Sequence, residues 1–142
     1  MENFERYFLH DRKILLENIS YETVKPDKNA KTMTLGCKDT IVAQLMESGI
    51  KINFNRAMNF TPEGIFSLSV TYSMMLFFDP TTKHEVNWKG MDIAGEFKRS
   101  CPQLLSAMMS RASLMIAQIT SAAGQNPLIT PGAPTKDITE VR

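Results

Sequence analysis

Residues 66–78 constrain this chain more than any other stretch. Phe66, Leu68, Val70, Tyr72, Met74, Leu76 and Phe78 alternate with Ser67, Ser69, Thr71 and Ser73. A period of two puts every large side chain on one side of an extended ribbon and every hydroxyl on the other, which a helix cannot do. The pattern predicts a strand over 64–78 with one buried face and one solvated face. Past Ser73 the hydroxyls give way to Met75 and Phe77, so both faces become apolar. Such an end needs cover from another element or another subunit.

The flanking segments extend that reading. In residues 50–60, Ile50, Ile52, Phe54, Met58 and Phe60 share a face, Lys51, Asn53, Asn55 and Asn59 share the other, and Arg56 alone breaks the alternation. This predicts a half-buried antiparallel strand. It joins the next one through Thr61-Pro62-Glu63-Gly64, a turn sequence with proline at its second position. Asp79-Pro80-Thr81-Thr82 is a further turn. Beyond it Val86 and Trp88 lie in one phase and Met91, Ile93 and Phe97 in the other, which predicts a strand over 83–97 with a bulge near Lys89-Gly90. Three strands joined by short turns make an antiparallel meander. Upstream, residues 13–22 predict a strand with Leu15, Ile19 and Tyr21 on a buried face, followed by a turn or crossover over Pro26–Lys31. Residues 38–48 fit a short helix, capped by Asp39 or Thr40 and stopped by Gly49, but TIVAQL serves equally as a strand.

After Ser100 the period becomes helical. Ser100 can cap, Pro102 suits a first turn, and Gly124 ends a helix running from about Cys101 to Ala123. Leu105, Met108, Met109, Ala112, Met115, Ile116, Ile119 and Ala123 recur at helical spacing and form one broad apolar stripe, with Leu114 opposite. The segment after it, NPLITPGAP at 126–134, holds prolines at 127, 131 and 134 and excludes helix or central strand. Strands followed by one long helix predict an α+β two-layer sandwich, a single domain over 1–142.

Composition removes several function classes. With 142 residues, 43% hydrophobic and 22% charged, the chain is expected to fold around a real core. A formal net charge of +1 gives no field for gripping nucleic acid or an anionic membrane. The two cysteines, Cys37 and Cys101, are too few for a secreted disulfide framework. The first residues are charged, without the apolar core of a signal peptide, so a cytoplasmic protein is expected. His10 and His84 stand apart from each other and from the cysteines, so no metal is expected. Cys101 at a helix start could feel the helix dipole, yet no histidine accompanies it, and a plain structural cysteine is the commoner case. No phosphate loop or catalytic constellation is visible. A non-enzyme without a cofactor is the expectation. Ten methionines are many for this length. Filling gaps in a core is their ordinary role; adapting to varied partners is the other.

One string is more specific: CPQLLSAMMSRASLMIAQITSAAGQNPLITPGAP, residues 101–134. It resembles the SecB export chaperones, whose main helix opens with Cys-Pro and an apolar pair and leads into a proline-rich loop. Cys101, Pro102, Leu104 and Leu105 match the opening, and Pro127, Leu128, Pro131 and Pro134 look like the loop. ILLENISYETVKP, residues 14–26, is similar to the family's first strand and the proline-bearing crossover after it. The resemblance spans roughly 14–134 and implies a four-stranded antiparallel sheet with the long C-terminal helix packed on one face. It also implies dimers or tetramers, and unfolded polypeptides held without ATP in apolar grooves between crossover loop, helix and sheet. The family's second helix and its contact surface for the translocase motor SecA have no counterpart in TKDITEVR after Pro134 or in the Ser/Thr face of strand 64–78. Service to SecA and to protein transport is therefore doubtful on this reading.

These readings name residues. Leu104, Met108 and Met115 on a helix flank, with Leu128 and Ile129 on the loop, are the expected contacts for polypeptide clients. Met75, Phe77 and Leu114 are the expected contacts of a homo-oligomer. The competing expectation on the same fold is an adaptor dedicated to one protein partner, for example an antitoxin, a phage protein or a host protein.

Overall fold

The computed structural model describes residues 3–25, 28, 32–132 and 139–141. Four long strands, β1 (Ile14–Val24), β2 (Thr34–Leu45), β3 (Gly49–Thr61) and β4 (Ile65–Phe77), form an antiparallel set. Two helices follow, α1 (Ile93–Ser100) and α2 (Pro102–Ala122), and then a short strand β5 (Thr139–Val141). The order across the sheet is β1-β4-β3-β2-β5, with β5 parallel to β2 opposite Thr40–Val42. The α+β architecture with the long helix on one face is the one expected.

The best-patterned strands fold as read. Val70 pairs with Arg56, Tyr72 with Phe54 and Met74 with Ile52, so the alternating sets of β3 and β4 share one face. Phe66, Leu68, Val70, Tyr72, Met74 and Leu76 are all buried there, in one cluster with Leu105, Met109, Ala112 and Ile116 of α2. Gly49 opens β3 because a Cβ there would collide with the carbonyl of Leu76 on β4.

Several expectations are resolved or corrected. Residues 38–48, open in the sequence between helix and strand, lie mostly in β2, because Ile41 and Ala43 bury the face that continues Phe54 and Ile52 across the ladder. The meander is therefore β2–β3–β4 rather than 50–97. The expected strand over 83–97 does not form. Asp79 accepts hydrogen bonds from the Thr81 backbone N–H and hydroxyl, making the expected turn. Two short 3₁₀ turns then lead to α1, whose Asp92 carboxylate caps the N–H of Gly95. Ile93 and Phe97 stand four apart, and on a capped helix that spacing buries both. Ser100 ends α1, so Cys101, not Ser100, is the residue before α2.

Finally, β1 does not bury one face. A bulge between Leu16 and Asn18 flips its phase, so Leu15 pairs with Ser73 on the outer face while Ile19 and Tyr21 pair with Val70 and Leu68 on the helix side. The N-terminal segment is also more than a run of charges: Phe4, Tyr7 and Phe8 all pack against buried Trp88, and Phe8 stacks on Phe78. The turn read at Pro26–Lys31 lies outside the described residues except for Lys28, as does Pro134 of the loop.

Candidate polypeptide-binding surface

Helix α2 lies over β4 and β3, and its two flanks meet the rest of the molecule differently. On one flank Ser106, Ser113 and Thr120 recur every seven residues, which places them in a single row. Each bonds the proline-rich loop as it runs back along the helix. The Thr120 hydroxyl accepts from the Leu128 N–H at 2.9 Å. Ser113 donates to the Pro131 carbonyl at 3.1 Å and shares a 2.9 Å bond with the Thr130 hydroxyl. Ser106 reaches the Gly132 carbonyl at 3.5 Å. Two helix turns rise about 10 Å, which is also about the span of three extended residues, so 128–131 is matched to the row.

Arg56 closes this flank from below. Its side chain and that of Asp39 are both 0% exposed, and Nε and Nη2 of Arg56 donate to the two Asp39 oxygens at 2.7 and 2.9 Å. Its Nη1 donates to the Ser113 and Thr130 hydroxyls and, at 2.6 Å, to the Pro131 carbonyl. Burial works against the guanidinium charge, and the hydrogen-bonded Asp39 carboxylate more than offsets it, so the arginine pKa is raised. The residue that broke the alternation of β3 thus faces the core and ties sheet, helix and loop together. Two signals in the sequence pointed here: Arg56 in an apolar phase, and the seven-residue hydroxyl repeat.

The opposite flank carries Leu104 and Met115, each two residues from a row hydroxyl and so about 200° round the helix from it. Both are half-buried. On the sheet below, Leu16 and Ile19 of edge strand β1 point to the helix side, in register with Tyr72 and Val70, yet stay 43% and 41% exposed. Ile14 and Tyr21 beside them are partly buried against the core. This flank is an open apolar strip.

The expected contact residues are therefore divided. Leu104 and Met115 sit on the open flank, and Leu128 and Ile129 on the flank sealed by the loop. Leu128 packs inward, while Ile129 is 79% exposed. Met108, seven residues before Met115 and so on the same flank, is not exposed: it is completely buried and belongs to the core. The three expected oligomer contacts also fall on opposite sides of the molecule. Leu114, 61% exposed, points away from the sheet. Met75 and Phe77 lie on the outer face, where with Leu15 and Met46 they line a cleft of about 460 Å³. At its floor Glu17 accepts from Lys51 at 2.6 Å and from Ser73 at 2.8 Å, and these bonds hold its carboxyl below the ordinary range.

Neither cysteine thiol is activated in this geometry. Burial pushes the Cys101 thiol up to about 11, with nearby Glu5 adding to the effect, so the helix dipole does not prevail. Burial also raises the Cys37 thiol. Among the described residues no three His, Cys, Asp or Glu side chains converge as metal ligands, and no helix is long and apolar enough to cross a membrane.

No family model matches the chain, and no curated protein does. Among solved structures, the Mycobacterium tuberculosis Rv1957 SecB-like chaperone, in complex with a ChAD peptide from the Rv1956 HigA1 antitoxin, superposes with a TM-score of 0.56. The match covers 84% of this chain and 86% of that one at 10% sequence identity. At that identity the likeness speaks for the backbone alone, and the chain carries the SecB-like fold that its Cys-Pro helix and strand pattern imply.

Proposed function

We propose that this chain is a chaperone-type binding module that holds unfolded or partly folded polypeptide along the open flank of α2, without ATP and without catalysis. The observation that carries the reading is the strip formed by Leu16 and Ile19 on β1 below Leu104 and Met115, apolar side chains that the chain's own helix does not cover. An extended segment laid there would bury alternate apolar side chains, each contributing about 1 kcal/mol or more. Leu16→Ser with Ile19→Ser should abolish suppression of aggregation of a chemically unfolded protein while thermal melting stays close to wild type. Full protection by the double variant would refute the reading.

A dedicated adaptor is the second reading, favoured by the solved SecB-like chaperone whose printed ligand is a peptide from an antitoxin. A panel of unrelated unfolded proteins separates the two: a holdase protects several, an adaptor one.

Self-association completes the proposal. Helix α2 has 21 residues and a single charge, Arg111, so its outward side offers Leu114 with only that one charged neighbour. A solvated helix face ordinarily carries many charges, and this one suits a second copy in a cytoplasmic dimer or tetramer. Light scattering at micromolar concentration should show an oligomer that Leu114→Arg dissociates. A clean wild-type monomer would overturn it.

A further inference from the structure

The outer edge of β2 already holds an extended segment. β5 pairs with three of the twelve residues of β2, running parallel to it from Thr40 to Val42, and it lies beside α1. Such a pair is made by main-chain hydrogen bonds, so the edge accepts a strand of varied sequence. The hold of β5 is short. Strands are commonly about five or six residues long, and an edge of twelve residues has room for a longer partner than β5.

An apolar trough begins where β5 stops. Val141 stands opposite Val42, and the next residues of β2 in their shared direction are Ala43, Gln44 and Leu45. Ala43 and Leu45 pair with buried Ile52 and Ile50, so both belong to the helix face of the sheet. With Trp88, Met91 and Ile93 they line a pocket of about 180 Å³. Leu45, Trp88 and Lys89 also line the neighbouring cleft of about 570 Å³, where Lys83 and Lys89 stand against one carboxylate, Glu47. A strand continuing in the direction of β5 would lay every second side chain in this trough and bring the residues after it to the lysines.

We propose that the β2 edge is a second polypeptide site: a partner segment, apolar at alternate positions and acidic beyond them, adds to β2 as a parallel strand and displaces β5, the chain's own segment standing in that site. It rests on the polypeptide-binding reading above only for the class of ligand, since it lies at the opposite edge of the sheet from Leu16 and Ile19. It is also at the end of β2 farther from the crossover that precedes Thr34. β5 shows the direction of the incoming strand; the trough and its lysines select which sequences can displace β5.

The test uses the full chain and a fluorescently labelled synthetic peptide that alternates threonine with valine or leucine and ends in glutamates. Companion peptides end in lysines instead or carry N-methyl groups on every amide. Neighbouring N–H groups of a strand point to opposite edges, so Glu140→Pro with Val141→Pro removes whichever faces β2 and leaves the trough intact. This variant should bind the glutamate peptide about tenfold more tightly, because its edge is free more of the time. Lys89→Glu should weaken the glutamate peptide and strengthen the lysine peptide, each about threefold. The N-methylated peptide should bind neither variant. Leu16→Ser with Ile19→Ser, at the far edge, should leave affinity within about twofold. Unchanged or weaker binding in the proline variant would make β5 a fixed part of the sheet and overturn the proposal. Unchanged affinity in the proline variant and in Lys89→Glu, with binding lost in Leu16→Ser/Ile19→Ser, would overturn the β2 site and leave the open-flank reading standing. The expected peptide pattern without any protection of a chemically unfolded protein by wild type would do the reverse. Dissociation of an oligomer by the proline variant would show β5 seated on a second copy, and would overturn the proposal as well.

Discussion

Along one side of α2 a row of hydroxyls, a proline-rich loop and a buried arginine close the space between helix and sheet. Along the other, Leu104 and Met115 look over Leu16 and Ile19, which among the described residues stay partly exposed. Both flanks rise from the same floor of β3 and β4 side chains, and both are bounded by an edge of the same sheet. They differ in what the chain supplies of itself. The sealed flank spends its polar groups internally, each donor matched to a named acceptor, so water and foreign chains are kept out. The open flank has apolar surface and few polar groups to satisfy, which is what a varied polypeptide can use. The density of apolar residues does not tell the two apart; coverage does.

Several substitutions would break or sharpen that contrast. The largest effect belongs to the shared floor. Val70→Asp places a carboxylate without a partner beneath α2 and should leave no cooperative thermal transition. Ser69→Asp, one residue away on the outer face, should melt within a few degrees of wild type, since its oxygen can still accept from Asn55. Like behaviour of the two would contradict the register of β4.

Arg56→Met comes next. It strands Asp39 in the core and should cost about 3–5 kcal/mol in denaturant unfolding, whereas Arg56→Met with Asp39→Leu should recover most of that. Failure of the second change to rescue the first would mean that the loop contacts, not the ion pair, dominate the sealed flank. Met108→Ser is smaller, about 2–4 kcal/mol, as expected for a fully buried side chain. A change below about 0.5 kcal/mol would return Met108 to an exposed flank. Smallest is an acid effect on the outer face. The Glu17 carboxyl is held below its ordinary pKa of 4.5, so its bonds add stability above that pH and lose it as pH falls through the folded-state value. Wild type should therefore lose slightly more stability than Glu17→Gln between about pH 5 and 3, and equal losses would show the Lys51 and Ser73 contacts to be idle.

Much of the architecture could be read from local pattern. The alternation in β3 and β4 survives folding because both of its phases have fixed destinations, one under α2 and one facing out. The helical stripe survives for the same reason, with Pro102 at its start and Gly124, at φ 87°, past its end. Segment 83–97 misleads because Met91, Ile93 and Phe97 fit a bulged strand as well as a capped turn of helix. The deciding contact, Trp88 against Phe4, Tyr7 and Phe8, comes from the far end of the chain. Residues 38–48 were ambiguous in the same way until pairing with β3 settled them.

The sequence by itself determined that a two-faced strand pair and a long apolar-striped helix must pack as two layers, because side-chain periodicity depends only on backbone geometry. Which side of α2 stays open was decided by tertiary structure. The repeat of Ser106, Ser113 and Thr120 and the misplaced Arg56 mark a row and a break in the sequence, but only the loop folding back and Asp39 arriving from β2 show what they bind. Burying that arginine is tolerable only with a paired carboxylate and filled hydrogen bonds, and those partners come from three other segments, β2, α2 and the loop, that meet it only in the folded chain.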